Sequence, residues 1–479
     1  MFDGGCAEYW EPPDTRASRS LLRDIAAAQR QENQACARRL RVAAELFETR
    51  RTERGEAEDW AVDTWAAVAA EIAAALRISL GKASSILNYG HAMRRLPQVA
   101  GVFEAGEIDL ATYRAIVYRT GLIDDDAVLA RVDARIAAKA ARWPSMTPSR
   151  LAGQIDRIIA KVDPDAVRRA RERTLDRNVT VWDGSGTGAD GTAEVSGLLF
   201  AADAHLLDKR LDALAATVCE SDPRTLAQRR ADALGALAAG AERLMCRCGS
   251  PDCTATAATP SPVVIHVLAE QGTLDGESET PGYLLGAGEL IPAALVRDLA
   301  ASARVRPLIH PADADPEPHY RPSKELAHYV RARDLTCRAP GCDRPATDCD
   351  LDHTVPYPQG GTHASNLKAL CRFHHIVKTF RGWRDRQLPD PTVIWLLPDN
   401  QVYVTTPGGA LLFPSLGHPT GALPVVGEQS ATRGHIVMMP KRRTTRTRER
   451  ARRIATERNH NRQRRSRAEP APGEDPPPF

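Results

Sequence analysis

The sequence predicts a chain in three parts. These are a mainly helical N-terminal domain with some β-structure over residues 20–310, a small zinc-stapled β-β-α module over 319–406, and a disordered, basic and proline-rich tail over 415–479. Three observations carry this reading. Apolar residues recur at helical spacing through an Ala-, Leu- and Arg-rich first half. Cysteine and histidine crowd into Cys337–Lys378 at ligand spacings. Thirteen Lys and Arg against two Glu fill Lys441–Arg467.

Taken in order, Leu21, Leu22, Ile25 and Ala28 begin one amphipathic helix, and Ala43, Ala44, Leu46 and Phe47 continue the next. Ser79 opens a third, which Leu96-Pro97 stops. Gly106 is placed at a helix end and Asp109 at the N-cap of the following helix. Thr147-Pro148 starts another, with proline in its first turn. Val167–Arg177 reads as a very basic helix, either a solvated face or a phosphate contact. Alternation at Val179, Val181 and Trp182, a glycine-rich turn, then Ala193 and Val195 read as a hairpin. Helices return over Asp203–Thr217 and Arg224–Ala239. Val263–Leu268 reads as a buried strand with His266 in the core, Pro311–Pro318 as a linker, and Ser323 as the cap of a helix over Glu325–Arg333. Trp383, Val393–Leu397 and Val402–Val404 suggest strands that close the sheet of the module.

The balance of 64 basic and 61 acidic residues, net +3, hides the asymmetry of the tail, which reads as disordered when free and able to neutralise DNA phosphates. Ten cysteines fall in tight sets and do not form a spread disulfide framework, which favours a reducing cytoplasm and metal sites. The opening Met1–Cys6 lacks the basic and apolar regions of a signal peptide. The apolar run Ala66–Leu76 is interrupted by Glu71, so no membrane span is expected.

Within the module, Cys337-x4-Cys342 and Cys371-x2-His374 are two zinc-type half-sites. Between them lie Asp352-His353 on a short strand, a Gly360-Gly361 turn and Asn366. From Leu367 the spacing of Leu370, Cys371, His374 and His375 is helical, and neighbours on a helix point about 100° apart, so His374 and His375 can serve two centres. The order His353…Asn366…His375, the Val355-Pro356 after the first histidine, the glycine turn, Asn366-Leu367, and Leu370-Cys371-x2-His374-His375 with Lys378 beyond resemble the HNH endonucleases.

That resemblance implies a ββα-metal (HNH, or His-Me finger) module. Cys337, Cys342, Cys371 and His374 would hold structural Zn2+, and Asp352 with His375 a catalytic Mg2+ or Mn2+. His353 would be the general base. Asn366 would hold the loop carrying His353 or take a metal position, and both stay open. Lys378 and Arg372 would contact phosphate. The bland counterpart is a zinc knuckle without chemistry, with Cys349 and His363 as structural extras.

A second resemblance covers residues 20–310. The stretches FEAGEIDLATYRAI (103–116), SDPRTLAQRRADALGALA (221–238), CRCGSPDC (246–253) and PGYLLGAGELIPAALVRDLA (281–300) look like the large domain of unknown function found ahead of HNH modules in actinobacterial thirteen-E-twelve repeat proteins. Cys246, Cys248 and Cys253 invite a second metal, with Cys219 or a distant histidine as the fourth ligand. Free thiols are the alternative. The expectation is thus a metal-dependent endonuclease acting on DNA, with RNA open as a substrate. The rival is a catalytically silent, zinc-containing DNA-binding or scaffold protein. Target sequence, oligomeric state and the role of the N-terminal domain are not written in the chain.

Overall fold

The computed structural model describes residues 16–168, 177–183, 192–253, 266–286, 288–301, 303–312, 314–421 and 438–468. They fall into two compact units, one within 1–169 and 432–479, the other within 170–431.

In the first unit, polar caps start most of the helices. These are α1 (Arg16–Arg54), α2 (Thr64–Leu76), α3 (Leu80–Arg95), α4 (Pro97–Glu104), α5 (Leu110–Thr120), α6 (Asp126–Ala140) and α7 (Pro148–Ala160). The caps expected at Ser79, Asp109 and Thr147 are present, each accepting from a backbone N–H in the first turn. Gly106, with φ +79°, follows the end of α4. The two helices expected at the start are one 39-residue helix, since Gln29–Val42 holds neither Gly nor Pro to break it. The start of α4 lacks its own cap, and Asp133 of α6 accepts from Gln98 N and Val99 N instead. Leu40, Phe103, Tyr113, Ile116, Ile136 and Ile155 belong to the core these helices enclose.

The tail departs from expectation. Residues Arg446–Ala468 are a helix docked on this first unit. Arg446 pairs with Asp63 at 3.1 Å, Arg458 with Asp163 at 2.6 Å, and Arg465 with Asp165 at 2.9 Å. Asn461 donates to the Asp165 and Val167 carbonyls, and Ile454 packs on the core. Acidic partners far away in sequence order a segment that composition alone marks as disordered. Of the basic stretch Val167–Arg177, residues 169–176 lie outside the described residues. Arg168 pairs with Glu457 of the C-terminal helix at 2.9 Å.

The second unit opens with the expected hairpin, β1 (Asn178–Asp183) and β2 (Ala193–Leu198), in register Val181↔Val195. Its two helices follow, α8 (Ala201–Ala215) and α9 (Leu226–Ala238). Next come β3 (His266–Leu268), α10 (Gln271–Leu274), β4 (Gly282–Leu285) and β5 (Glu289–Ile291), an antiparallel sheet in order β3-β4-β5, then α11 (Ala293–Ala300). Residues 263–265 lie outside the described residues, and His266, expected in the core, is exposed beside His328.

Helix α12 (Lys324–Asp334), capped by Ser323, leads into the cysteine-rich stretch. There β6 (Cys349–His353) and β7 (Leu367–Cys371) form an antiparallel pair, followed at once by α13 (Arg372–Phe380). The helix expected from Leu367 thus begins only at Arg372, because residues 367–371 pair with β6. Then β8 (Arg384–Gln387), β9 (Val393–Leu396) and β10 (Val402–Thr405), expected to close the β6–β7 sheet, form a separate three-stranded sheet, with α14 (Gly409–Leu412) after it. Trp383 and Trp395 are buried, as packing residues should be. One core joins Leu326, Tyr329, Val330 and Leu367 with Tyr283 and the half-buried Leu268, so residues on both sides of the expected linker share it.

The end of α12 is fixed by charge. Asp334 is fully buried between Arg333 (2.8 Å) and Arg338 (2.9 Å) and also accepts from Ala369 N of β7 at 2.7 Å. Arg333 donates onward to the Ala364 and Leu367 carbonyls, and Arg338 to those of Pro391 and Thr405. Among the described residues no single helix is long and apolar enough to cross a membrane.

Candidate metal centre and active site

Helix α13 starts where β7 ends, which sets Cys371 at the junction and His374 one turn in. Cys337 and Cys342 arrive from a turn made by Gly341 at φ +74°. His374 Nδ1 lies 3.3 Å from Cys371 Sγ and 3.6 Å from Cys337 Sγ, and Cys342 Sγ lies 4.0 Å from Cys371 Sγ. Zinc bonds of about 2.3 Å to sulfur and about 2.0 Å to nitrogen give tetrahedral edges of roughly 3.5–3.8 Å. These four residues can therefore hold a structural metal such as zinc. Cys371 N donates to Cys337 Sγ at 3.3 Å, which suits a thiolate there. Cys349 donates to the Pro345 carbonyl and His363 bonds Ser365, so neither enters the set. A second set, Cys219, Cys246, Cys248 and Cys253, also converges.

His375, next along α13, faces the other way, toward β6. Its Nδ1 donates to Asp350 Oδ2 at 2.9 Å, and its Nε2 lies 3.4 Å from Asp352 Oδ1. Asp352 Oδ2 accepts from Lys368 Nζ at 2.7 Å and Lys378 Nζ at 2.6 Å, and both lysines also reach Asp385 of β8. Burial pushes the Asp352 carboxyl up, but the two ammonium groups outweigh it and hold it at about 2. Lys368 is completely buried, and its pKa is raised because the two carboxylates overcome that burial. Lys378 is lowered, by burial and then by the charge of Lys368.

His353 ends β6. Its Nε2 is 2.9 Å from Thr362 Oγ1, which itself donates to the His319 carbonyl at 2.5 Å. Thr362 therefore accepts from His353 Nε2–H, and Nδ1 keeps the free lone pair. Burial lowers the His353 pKa, Asp352 opposes this, and Lys368 and Lys378 add to it. Tyr320 stacks on the ring at 5.2 Å. Asn366 is wholly buried. It accepts from Val355 N at 2.8 Å and donates to the Val355 and Gly361 carbonyls, so its side chain closes the loop after His353.

Of the residues singled out in sequence, Asp352 and His375 meet, with His353 next to Asp352 on β6, and Asn366 buttresses them. Arg372 is exposed beside Asp350 at 3.2 Å. Lys378, expected at phosphate, is turned inward, donating to Asp352 and to the His353 carbonyl. Sequence reasoning missed Asp350, Thr362, Lys368 and Asp385. Asp350 had a signal, since it sits two residues before Asp352 and so on the same strand face.

Comparison with known proteins adds a family. Residues 27–334 match the family described as Domain of unknown function (DUF222). The chain belongs to that family. It is 45% identical over 471 residues to Uncharacterized protein Rv3776 of Mycobacterium tuberculosis, covering 92% of this chain and 90% of that protein. It is 43% identical over 495 residues to Uncharacterized protein Rv2100 of the same organism, covering 93% and 89%. No solved structure matches. The DUF222 match takes in the second cysteine set and α12, and ends at Asp334, before Cys337.

Proposed function

We propose that the β6–β7–α13 region is the active site of a metal-dependent, HNH-type endonuclease that hydrolyses DNA phosphodiester bonds in the cytoplasm. The observation that supports it most is the meeting of Asp352 Oδ1 and His375 Nε2 at 3.4 Å. With Nδ1–H donated to Asp350, a neutral His375 turns a lone pair toward a carboxylate oxygen. Adjacent ligands on an octahedral ion with bonds of about 2.1 Å lie about 3.0 Å apart, so a closing shift of about 0.4 Å seats both on one ion. A divalent ion such as Mg2+ or Mn2+ held there would polarise the phosphate and stabilise the leaving 3′ oxygen. His353 takes a proton from the attacking water at Nδ1, and Thr362 fixes the tautomer that makes this possible. Asn366 holds the loop, Arg372 offers an exposed guanidinium to phosphate, and Lys378 steadies Asp352 and the His353 backbone. The products carry a 5′-phosphate and a 3′-hydroxyl.

A second reading has one observation in its favour. Asp352 Oδ2 is already neutralised by two lysines, as a silent, zinc-stapled DNA-binding module would leave it.

Supercoiled plasmid with Mg2+ or Mn2+ separates the two readings. Nicking or linearisation by the intact protein is expected to fall about 10²–10⁴-fold in His353→Ala, with DNA binding retained. Binding without cutting under every divalent ion would leave the silent module as the better account. The pH profile is a separate check. Because burial lowers His353, the base stays neutral below an ordinary histidine pKa, and the acid limb of the cleavage rate is expected below about pH 6.5. An acid limb above that value would point to a different base.

A further inference from the structure

The thiols of Cys219, Cys246, Cys248 and Cys253 lie within 4.8 Å of one another, yet they come from segments on opposite sides of α9. Cys219 follows α8, and the other three follow α9. Two clamps hold the segments together. Asp222 accepts from Arg224 at 2.7 Å and from Arg247 N at 2.9 Å, and Arg224 donates to the Met245 carbonyl at 2.7 Å. Thr217 Oγ1 accepts from Leu244 N at 2.8 Å. Gly249, at φ +72°, makes the turn that brings Cys253 back.

We propose that these four cysteines hold one zinc ion in a closed tetrathiolate site, separate from the Cys337–His374 centre. The spacing selects the occupant. Cys219 Sγ to Cys246 Sγ is 3.5 Å, far beyond a disulfide bond of about 2.05 Å and close to a tetrahedral zinc edge of roughly 3.8 Å. An iron–sulfur cluster divides its four thiolates among two or more irons with inorganic sulfide between them, so four sulfurs all within 4.8 Å of one another leave no room for one. Four soft thiolates in a tetrahedron suit zinc. All four positions are filled by protein, so the ion is structural, and it ties the α8–α9 connection to the segment that follows α9. The site lies in the span that matches DUF222, so it belongs to that domain and holds whether or not the nuclease reading does.

The test uses the full chain. Purified in the presence of zinc, it is expected to carry about two zinc ions, and X-ray absorption at the zinc edge is expected to show on average about 3.5 sulfur ligands per ion. The double substitution C248S/C253S is expected to carry about one zinc with about three sulfurs and one nitrogen. Loaded with cobalt, it is expected to lose the more intense tetrathiolate charge-transfer bands. The wild-type ligand count stands on its own if that variant fails to fold. About one zinc per wild-type chain with a three-sulfur, one-nitrogen shell overturns the proposal. So does bound iron with acid-labile sulfide.

Discussion

Asp334→Ala is expected to destabilise the α12–β10 region by about 3–5 kcal/mol, a large part of the about 5–15 kcal/mol that holds a domain folded. Attraction between Asp334 and its two arginines is offset in large part by the loss of water around all three. The intact triad is therefore not itself a large net source of stability. Removing the carboxylate alone is different. It leaves Arg333 and Arg338, 0% and 2% exposed, with their charge uncompensated, and leaves Ala369 N without an acceptor. An exposed pair in the same region sets the scale: Arg372→Ala, which breaks the surface contact with Asp350, is expected to change stability by only about 0–1 kcal/mol. Urea titration of the two variants measures the gap, and equal costs would sink this account.

The sign with pH follows. Burial pushes Asp334 up, but Arg333 and Arg338 outweigh it and leave its pKa below the ordinary carboxylate value. Its contribution is complete above about pH 4, the unfolded value, and is lost as pH falls through the lower folded one.

Cys371→Ser is the second large effect. A structural zinc contributes about 10–16 kcal/mol of apparent binding free energy, against about 5–15 kcal/mol for a whole domain. Losing one of four ligands, at the junction of β7 and α13, is expected to release the metal and unfold this region. Trp383, 5.8 Å from His374, and Trp395 beside it are buried reporters. A red shift of tryptophan emission on substitution or chelation checks this, and unchanged emission after proven zinc loss would refute it. Because His375 follows His374 directly, the same loss is expected to pull His375 away from Asp352.

Much of this site could be read in advance. Ligands that come in local pairs, such as Cys371 and His374, declare themselves by spacing, and adjacent histidines on a helix must serve different directions. Lys368 and Asp385 gave no such signal. Lys368 faces Asp352 only through the β6–β7 register, and Asp385 arrives from β8. Cys219 was only one candidate for the fourth ligand, because 27 residues separate it from Cys246. The helix Arg446–Ala468 is hidden from the sequence for the same reason. Its local composition is that of a free chain, and the carboxylates that order it are hundreds of residues away.

That last distance has a consequence in time. Arg458 and Asp163 are 295 residues apart in the chain. At roughly 5–20 residues per second of synthesis, Asp163 has been made for about 15–60 s before its partner exists. Helices α1–α7 must therefore begin life with Asp63, Asp163 and Asp165 solvated. The first unit is finished only when Arg446–Ala468 has been made, and a message truncated before that helix would injure the part of the protein that was made earlier.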